Sequence, residues 1–314
     1  MYRLGIDLGG TNIATGVVDE NCKIIGVGKV KTNAPRPANE IIDDMAKSAL
    51  LAVKDAGITM DEVQSIGVGT PGSVDYKTGT VIYANNLGFF NVPLAEELKK
   101  RLNKEVFVEN DANAAAYGEY VAGAGKGTES FVALTLGTGV GGGVIIDGKI
   151  FGGSNGAGAE LGHTVIQMNG VPCSCGRNGC FEAYASATAL IRQTKQAMTR
   201  YPKSKMWELC KNDIENASGR TAFDAMRMGD EAGKSVVDEY IKYVAIGVAN
   251  MVNIFQPDVL CIGGGISNEG ETLMKPVRDI VSGENYARDM EKTTLIKAAS
   301  LGNDAGIIGA ALLG

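Results

Sequence analysis

The 314-residue chain has no apolar run approaching the ~20 residues of a membrane-spanning helix. It has no excess of positive charge either, since 30 Lys and Arg stand against 36 Asp and Glu, a net charge of −6. A phosphate backbone needs a basic face, so nucleic acid is not an expected partner. The opening residues, MYRLGIDLGG, lack the basic start and apolar stretch of a secretory signal. The expected location is therefore the cytoplasm. No stretch is rich enough in Pro or Ser to read as a linker between independent domains. Histidine is almost missing: His163 is the single one in the chain.

That histidine stands near the sharpest chemical signal present. Cys173, Cys175 and Cys180 lie within eight positions of one another, ten to seventeen residues after His163. In a cytosolic chain such a cluster points to metal rather than to a disulfide. Three thiolates and one imidazole make a closed tetrahedral set for a structural zinc. A redox role fits less well, because the spacing is C-x-C followed by C-x4-C rather than C-x-x-C.

Glycine is abundant at 43 residues, and it is clustered. Three turns follow apolar strand-like runs: DLGGTN at 7–12, LGTGVGGG at 136–143 and IGGGIS at 262–267. Glycine permits close approach of backbone N–H groups to a phosphate, although each turn taken singly is equally an ordinary hairpin or helix entry. None fits the Walker pattern, and none is a G-x-G-x-x-G opening a dinucleotide-binding helix. The first two turns are related: a shift of 128 positions lays Leu4–Asp19 over Val132–Asp147, with matching apolar positions. Two similar halves around a nucleotide are expected. Asp7, at the end of the first strand, suits Mg²⁺ or else bonds its own turn.

Alternating strands and helices predict an α/β fold. Strands are expected at 3–9, 13–19, 24–30, 65–72, 105–110, 131–137, 142–148, 258–267 and 293–299, and helices at 40–55, 94–102, 111–123, 234–255 and over the final residues. The length predicts two lobes, taken as residues 1–112 plus 301–314 and residues 113–300. Asp111 falls at a strand-to-helix junction, where it serves as a helix N-cap or as a base taking a proton from a substrate hydroxyl. Glu160, in a Gly/Ala-rich stretch with little reason to carry a charge, serves a substrate hydroxyl or is ordinary surface charge. Glu182, two residues after Cys180, serves a substrate hydroxyl or the helix dipole.

Taken in order, LGIDLGGTN at 4–12, GTPGSVD at 69–75, NNLGFFNVPL at 85–94, VENDANAAAYGE at 108–119, LGTGVGGGVIIDG at 136–148, GAELGHTVI at 158–166, CSCGRNGCFEAYAS at 173–186 and IGGGIS at 262–267 resemble the ROK family (repressors, open reading frames and sugar kinases). The likeness covers essentially the whole chain and is nearest to the family's zinc-containing bacterial glucokinases. It implies the two-lobed actin-like ATPase (ribonuclease H-like) fold, with duplicated mixed-sheet lobes and a central cleft for ATP and a hexose. It implies Asp111 as the base acting on the sugar 6-hydroxyl, and Gly72, Asn86, Asn110, Glu160, His163 and Glu182 as further sugar contacts. His163 would give its other nitrogen to zinc beside Cys173, Cys175 and Cys180. Nucleotide would be held by Asp7, Gly9, Gly10, Thr11, Asn12, Gly137, Thr138, Gly139, Gly263, Gly264 and Gly265, with Mg²⁺ accompanying ATP. A homodimer or higher homo-oligomer is common among similar proteins. Phe89 departs from the Trp that similar kinases often carry in a segment bordering the sugar. Glucose is the first expectation, with fructose, mannose and N-acetylmannosamine as alternatives. A sugar-responsive repressor of the same family would need a helix-turn-helix ahead of the DLGGTN turn, which here begins at residue 7. A catalytically dead sugar-binding or zinc scaffold would have little use for Asp111 and all three turns.

Overall fold

The computed structural model describes residues 1–314. β1 (Tyr2–Leu8), β2 (Asn12–Val18) and β3 (Ile24–Lys31) form an antiparallel meander. α1 (Ala38–Asp55) returns the chain to β4 (Val63–Thr70), parallel to β1. A small antiparallel sheet of β5 (Ser73–Asp75), β6 (Thr80–Ala84) and β7 (Phe89–Val92) precedes α2 (Leu94–Leu102). β8 (Glu105–Asn110) then pairs parallel to β4 and runs into α3 (Asp111–Ala122). The pattern restarts with β9 (Phe131–Leu136), β10 (Val140–Ile146) and a very short β11 (Lys149–Ile150). Five helices follow: α4 (Glu182–Ala185), α5 (Ala187–Arg200), α6 (Lys205–Leu209), α7 (Thr221–Arg227) and α8 (Glu231–Phe255). The chain continues through β12 (Val259–Gly263), α9 (Glu271–Glu284), β13 (Leu295–Ala298) and α10 (Ala305–Ala311). No helix is long and apolar enough to cross a membrane.

The two larger sheets have the orders β3-β2-β1-β4-β8 and β11-β10-β9-β12-β13. In each, the middle strand is the first of its half, and the fourth and fifth strands lie beyond it. Adding 128 to the bounds of β2 gives the bounds of β10, Asn12 becoming Val140 and Val18 becoming Ile146. This duplication is that of the actin-like ATPase fold. The chain divides into two compact units, residues 1–131, 143–159 and 300–314 in one, and 132–142 and 160–299 in the other. The sequence-based boundary at residue 112 cuts through α3, which in the structure belongs whole to the first unit.

Packing within the first unit explains that grouping. Leu4, Ile6 and Leu8 of β1 are fully buried in one core with Ile41, Ile42 and Met45 of α1. The alternate residues of β1, Gly5 and Asp7, face the other way, as the period of a strand requires. There α10 lies so close that a methyl on Gly5 would sit 1.8 Å from Ile307 O, and one on Gly67 of β4 1.7 Å from Ala310 O. The same helix meets α3 backbone to backbone: a methyl on Gly309 would lie 1.7 Å from Ala114 O. α3 is built of small residues, and Glu119 within it is buried. Its carboxylate accepts from Ser300 N (2.8 Å), Leu301 N (2.7 Å) and Ala124 N (2.9 Å), which fixes the approach of the chain to α10.

Candidate active site

In the first unit the C-terminal ends of parallel strands β1, β4 and β8 lie side by side, with Asp7 opposite Gly69 and Thr70 opposite Asn110. Ligands of open α/β sheets bind at such strand ends. The DLGGTN turn leaves β1 here and is closed by Gly9 N donating to Asn12 O at 2.9 Å. Asn86 stands beside it, its Cβ 3.8 Å from where a methyl on Gly10 would be. Gly72, at φ +95°, accepts a hydrogen bond from Asn110 Nδ2 at 3.2 Å. Asp7, Gly9–Asn12, Gly72, Asn86, Asn110 and Asp111 are therefore gathered in one place.

The helix cap expected of Asp111 falls instead to its neighbour. The cap of α3 is Asn110, whose side-chain oxygen accepts from Ala112 N (2.9 Å) and Asn113 N (3.2 Å). Asp111 is the first residue of the helix proper, half-buried, with one oxygen 2.9 Å from Ala112 N. Burial raises its carboxyl above the ordinary value, against the lowering effect of that N–H. Asp7 is pushed up to about 6, first by burial and then by the charge of Asp111. A buried carboxylate beside a second one forms a fitting place for a proton or for Mg²⁺.

Sequence reasoning missed what holds this turn. Thr32, fully buried just after β3, donates from Oγ1 to Gly9 O (2.6 Å) and from its backbone N to Thr11 O (3.0 Å). Arg36 Nε donates to Thr32 O at 2.7 Å, and its guanidinium pairs with Asp44 of α1. No local pattern announces a threonine 23 residues from its partner.

In the second unit, the turns at 137–139 and 263–265 pack on each other. Gly264 has φ +85°, and a methyl there would sit 2.4 Å from Leu136 O. Gly137 N donates to Gly139 O (3.0 Å), Gly137 O accepts from Ala187 N (2.8 Å), and Thr138 O accepts from Thr188 Oγ1 (2.8 Å). Val140 N donates to Glu182 Oε2 at 2.9 Å, a partner 42 residues away that sequence reasoning did not foresee. Glu160 lies at the N-terminal edge of the single 3-10 turn that carries His163.

The four predicted metal ligands are brought together. One donor atom from each of His163, Cys173, Cys175 and Cys180 lies within 4.8 Å of the others. Cys173 Sγ is 3.7 Å from His163 Nδ1 and Cys175 Sγ is 3.6 Å from Cys180 Sγ, too far for a disulfide. Zn–S bonds of about 2.3 Å in a tetrahedron put sulfurs about 3.8 Å apart, so the spacing fits such an ion. Gly176 (φ +85°) and Gly179 (φ +81°) turn the chain around it. Burial and the neighbouring thiols push Cys180 up to about 12, a burden a coordinated cation relieves. The His163 Nδ1 edge faces the cysteines, which leaves Nε2 for other contacts.

The duplicated sheets, the carboxylate pair beside a glycine turn and the Cys3His cluster define a member of a known group: the chain belongs to the ROK family, whose sequence model matches residues 3–314. It is 41% identical over 309 residues to a glucokinase of Thermotoga maritima, an overlap of 98% of this chain and 95% of that one. Among solved structures it resembles a ROK family glucokinase from Streptomyces griseus in complex with glucose and AMPPNP (TM-score 0.83, 37% identity, 100% of this chain and 99% of the other). A ROK hexokinase from Thermus thermophilus is similar, with a TM-score of 0.81 and 34% identity over 100% and 98% of the two chains.

Proposed function

We propose that this protein is a hexose kinase that transfers the γ-phosphoryl group of ATP to the 6-hydroxyl of glucose. The observation that carries the proposal is Asp111: a half-buried carboxylate at the head of α3, freed from capping by Asn110 and set beside the first glycine turn. Phosphoryl transfer asks the protein chiefly for positioning and charge stabilisation, with one base to take the hydroxyl proton. Asp111 is that base. Its raised pKa makes it a better proton acceptor than an ordinary carboxylate. Asn86, Asn110, Glu160 and His163 Nε2 bind sugar hydroxyls. The N–H groups of the 9–12, 137–139 and 263–265 turns bind nucleotide. Asp7 holds the Mg²⁺ that accompanies ATP, and this ion supplies charge neutralisation at the phosphates.

Zinc is the ion we assign to His163, Cys173, Cys175 and Cys180, on the strength of the donor set and its spacing. Its role is to hold the cysteine hairpin, residues 165–180, closed by bridges between Val165 and Cys180 and between Pro172 and Asn178, with His163 just before it and Glu182 just after it. The cytosol is the compartment that keeps such thiols reduced. The experiment is an ADP-release assay over glucose, mannose, fructose and N-acetylmannosamine with ATP as donor. Glucose should give the highest kcat/KM. Failure of every sugar to release ADP would sink the proposal. Sedimentation of the purified protein tests the homodimer expected from the family resemblance.

A further inference from the structure

The corner between α4 and α5 grips the second glycine turn at three points. Ala187 N and Thr188 Oγ1 hold the carbonyls of Gly137 and Thr138, and Glu182 Oε2 holds Val140 N–H. In a trans peptide the C=O and the following N–H point in opposite directions. Pinning the carbonyls of 137 and 138 on one side therefore aims the N–H groups of Thr138 and Gly139 to the other. These two are the N–H groups of the turn with no partner in the protein. Adjacent N–H groups aimed the same way make a seat for an anionic phosphate.

Glu182 also reaches backwards. Its Oε2 would be 2.2 Å from a methyl placed on Gly139, so it lies against the turn itself. Its Oε1 accepts from Ser174 Oγ (3.2 Å), a residue set between Cys173 and Cys175. One side chain thus touches both the cysteine hairpin and the phosphate turn. Both oxygens are engaged in this way, which lets Glu182 steady the turn.

We propose that Thr188 and Glu182 are positioning residues for the 137–140 turn, and that through Glu182 the cysteine hairpin sets nucleotide affinity. The proposal rests on the kinase assignment above and adds to it a direct link from the metal-binding hairpin to the nucleotide. The test measures dissociation constants for AMPPNP and for glucose separately by calorimetry, with zinc content determined on the same samples. Thr188→Val, which keeps shape and loses the hydroxyl, should weaken AMPPNP by about 5- to 10-fold. It should leave glucose affinity and zinc content unchanged, and KM for ATP should rise while kcat holds. Thr188→Ser should return AMPPNP binding to within about twofold, since it restores the donor. Glu182→Ala should weaken AMPPNP by tenfold or more with zinc retained. Overturning results are AMPPNP binding within twofold of the parent in both Thr188→Val and Glu182→Ala, or a Glu182→Ala loss confined to glucose. A parent protein that binds no adenine nucleotide would instead remove the kinase assignment, a distinct outcome read before any variant is made.

Discussion

Thr32 and Thr188 do one job at the two ends of an internal repeat, by different routes. The turns at 9–12 and 137–140 descend from equivalent strands 128 positions apart, and each has carbonyls tied down by a threonine hydroxyl. For the first turn the threonine comes from the adjacent meander, directly after β3, which is eight residues long. Its counterpart β11 has two residues and supplies nothing of the kind. The second turn is held instead from α5, 50 residues on, beyond the cysteine hairpin. The turns differ in chemistry too. Asp7 closes the strand before the first, and the shifted position before the second is Thr135. The first half carries the acids and a local support. The second carries no acid at that point and a remote support, reached through a segment organised around metal ligands. A duplicated backbone thus repeats the strand–glycine turn–strand plan without fixing what steadies the turn.

The largest effect expected from breaking this contrast is on the acid side. Asp111→Asn should lower kcat by about 10²- to 10⁴-fold while glucose binding by calorimetry stays near the parent value. In the parent, kcat/KM should fall on the acid side with an apparent pKa above that of an ordinary carboxylate. That limb belongs to the Asp7–Asp111 pair rather than to either alone. Next comes the remote support: Cys175→Ser should lose zinc, measured by metal analysis, and weaken nucleotide and sugar by about 10- to 100-fold. Full affinity in a zinc-free protein would show that the second turn stands without its hairpin. A smaller change is expected from Thr32→Val, which leaves Gly9 O without its hydroxyl donor in a buried place. Nucleotide affinity should drop about 5- to 10-fold and stability by about 1–3 kcal/mol by denaturant titration, with zinc content untouched.

The smallest effect concerns Asp7. Its folded-state pKa, about 6, lies above the ordinary 3.8, so the fold disfavours its ionised form. Its contribution to stability is therefore fully present below about pH 4 and is lost as pH rises through 6. Asp7→Asn should raise the melting temperature at pH 7.5, without added Mg²⁺, by about 2–5 °C. At pH 4.5 that gain should shrink, because the parent carboxyl is by then largely protonated.

Much of this was legible in the sequence. The repeat was readable because a glycine turn between two apolar strands is a local pattern, and it located β2 and β10. Cys173, Cys175, Cys180 and His163 were readable because ligand types and spacing carry the chemistry. The helices α5 and α9 were not, for identifiable reasons. α5 buries only Ala189, Leu190, Thr194 and Met198, a thin apolar stripe, and α9 contains Pro276. The strands β5–β7 are three to five residues long and lie among turn residues. At the site, Asp111 was ambiguous because the residue before it is also a good cap, and geometry alone assigns that part to Asn110. Thr32, Thr188 and the Glu182–Val140 bond were invisible because each joins positions 23 to 50 residues apart, and a polar side chain gives no sign of a distant partner.

Glu119 and the glycines that seat α10 have a consequence for how the protein is made. The helix bearing Asp111 finds its packing partner in residues 305–311, synthesised some 190 positions later. A ribosome that has finished β8 and α3 therefore displays a sheet on whose second face only α3 has settled, and the place of α10 over Gly5 and Gly67 stays open through translation of nearly the whole second unit. During that interval the nascent chain is a natural client for chaperones. Gly309→Val, whose side chain would drive into Ala114 O, should show itself first as aggregation during expression rather than as a slow enzyme.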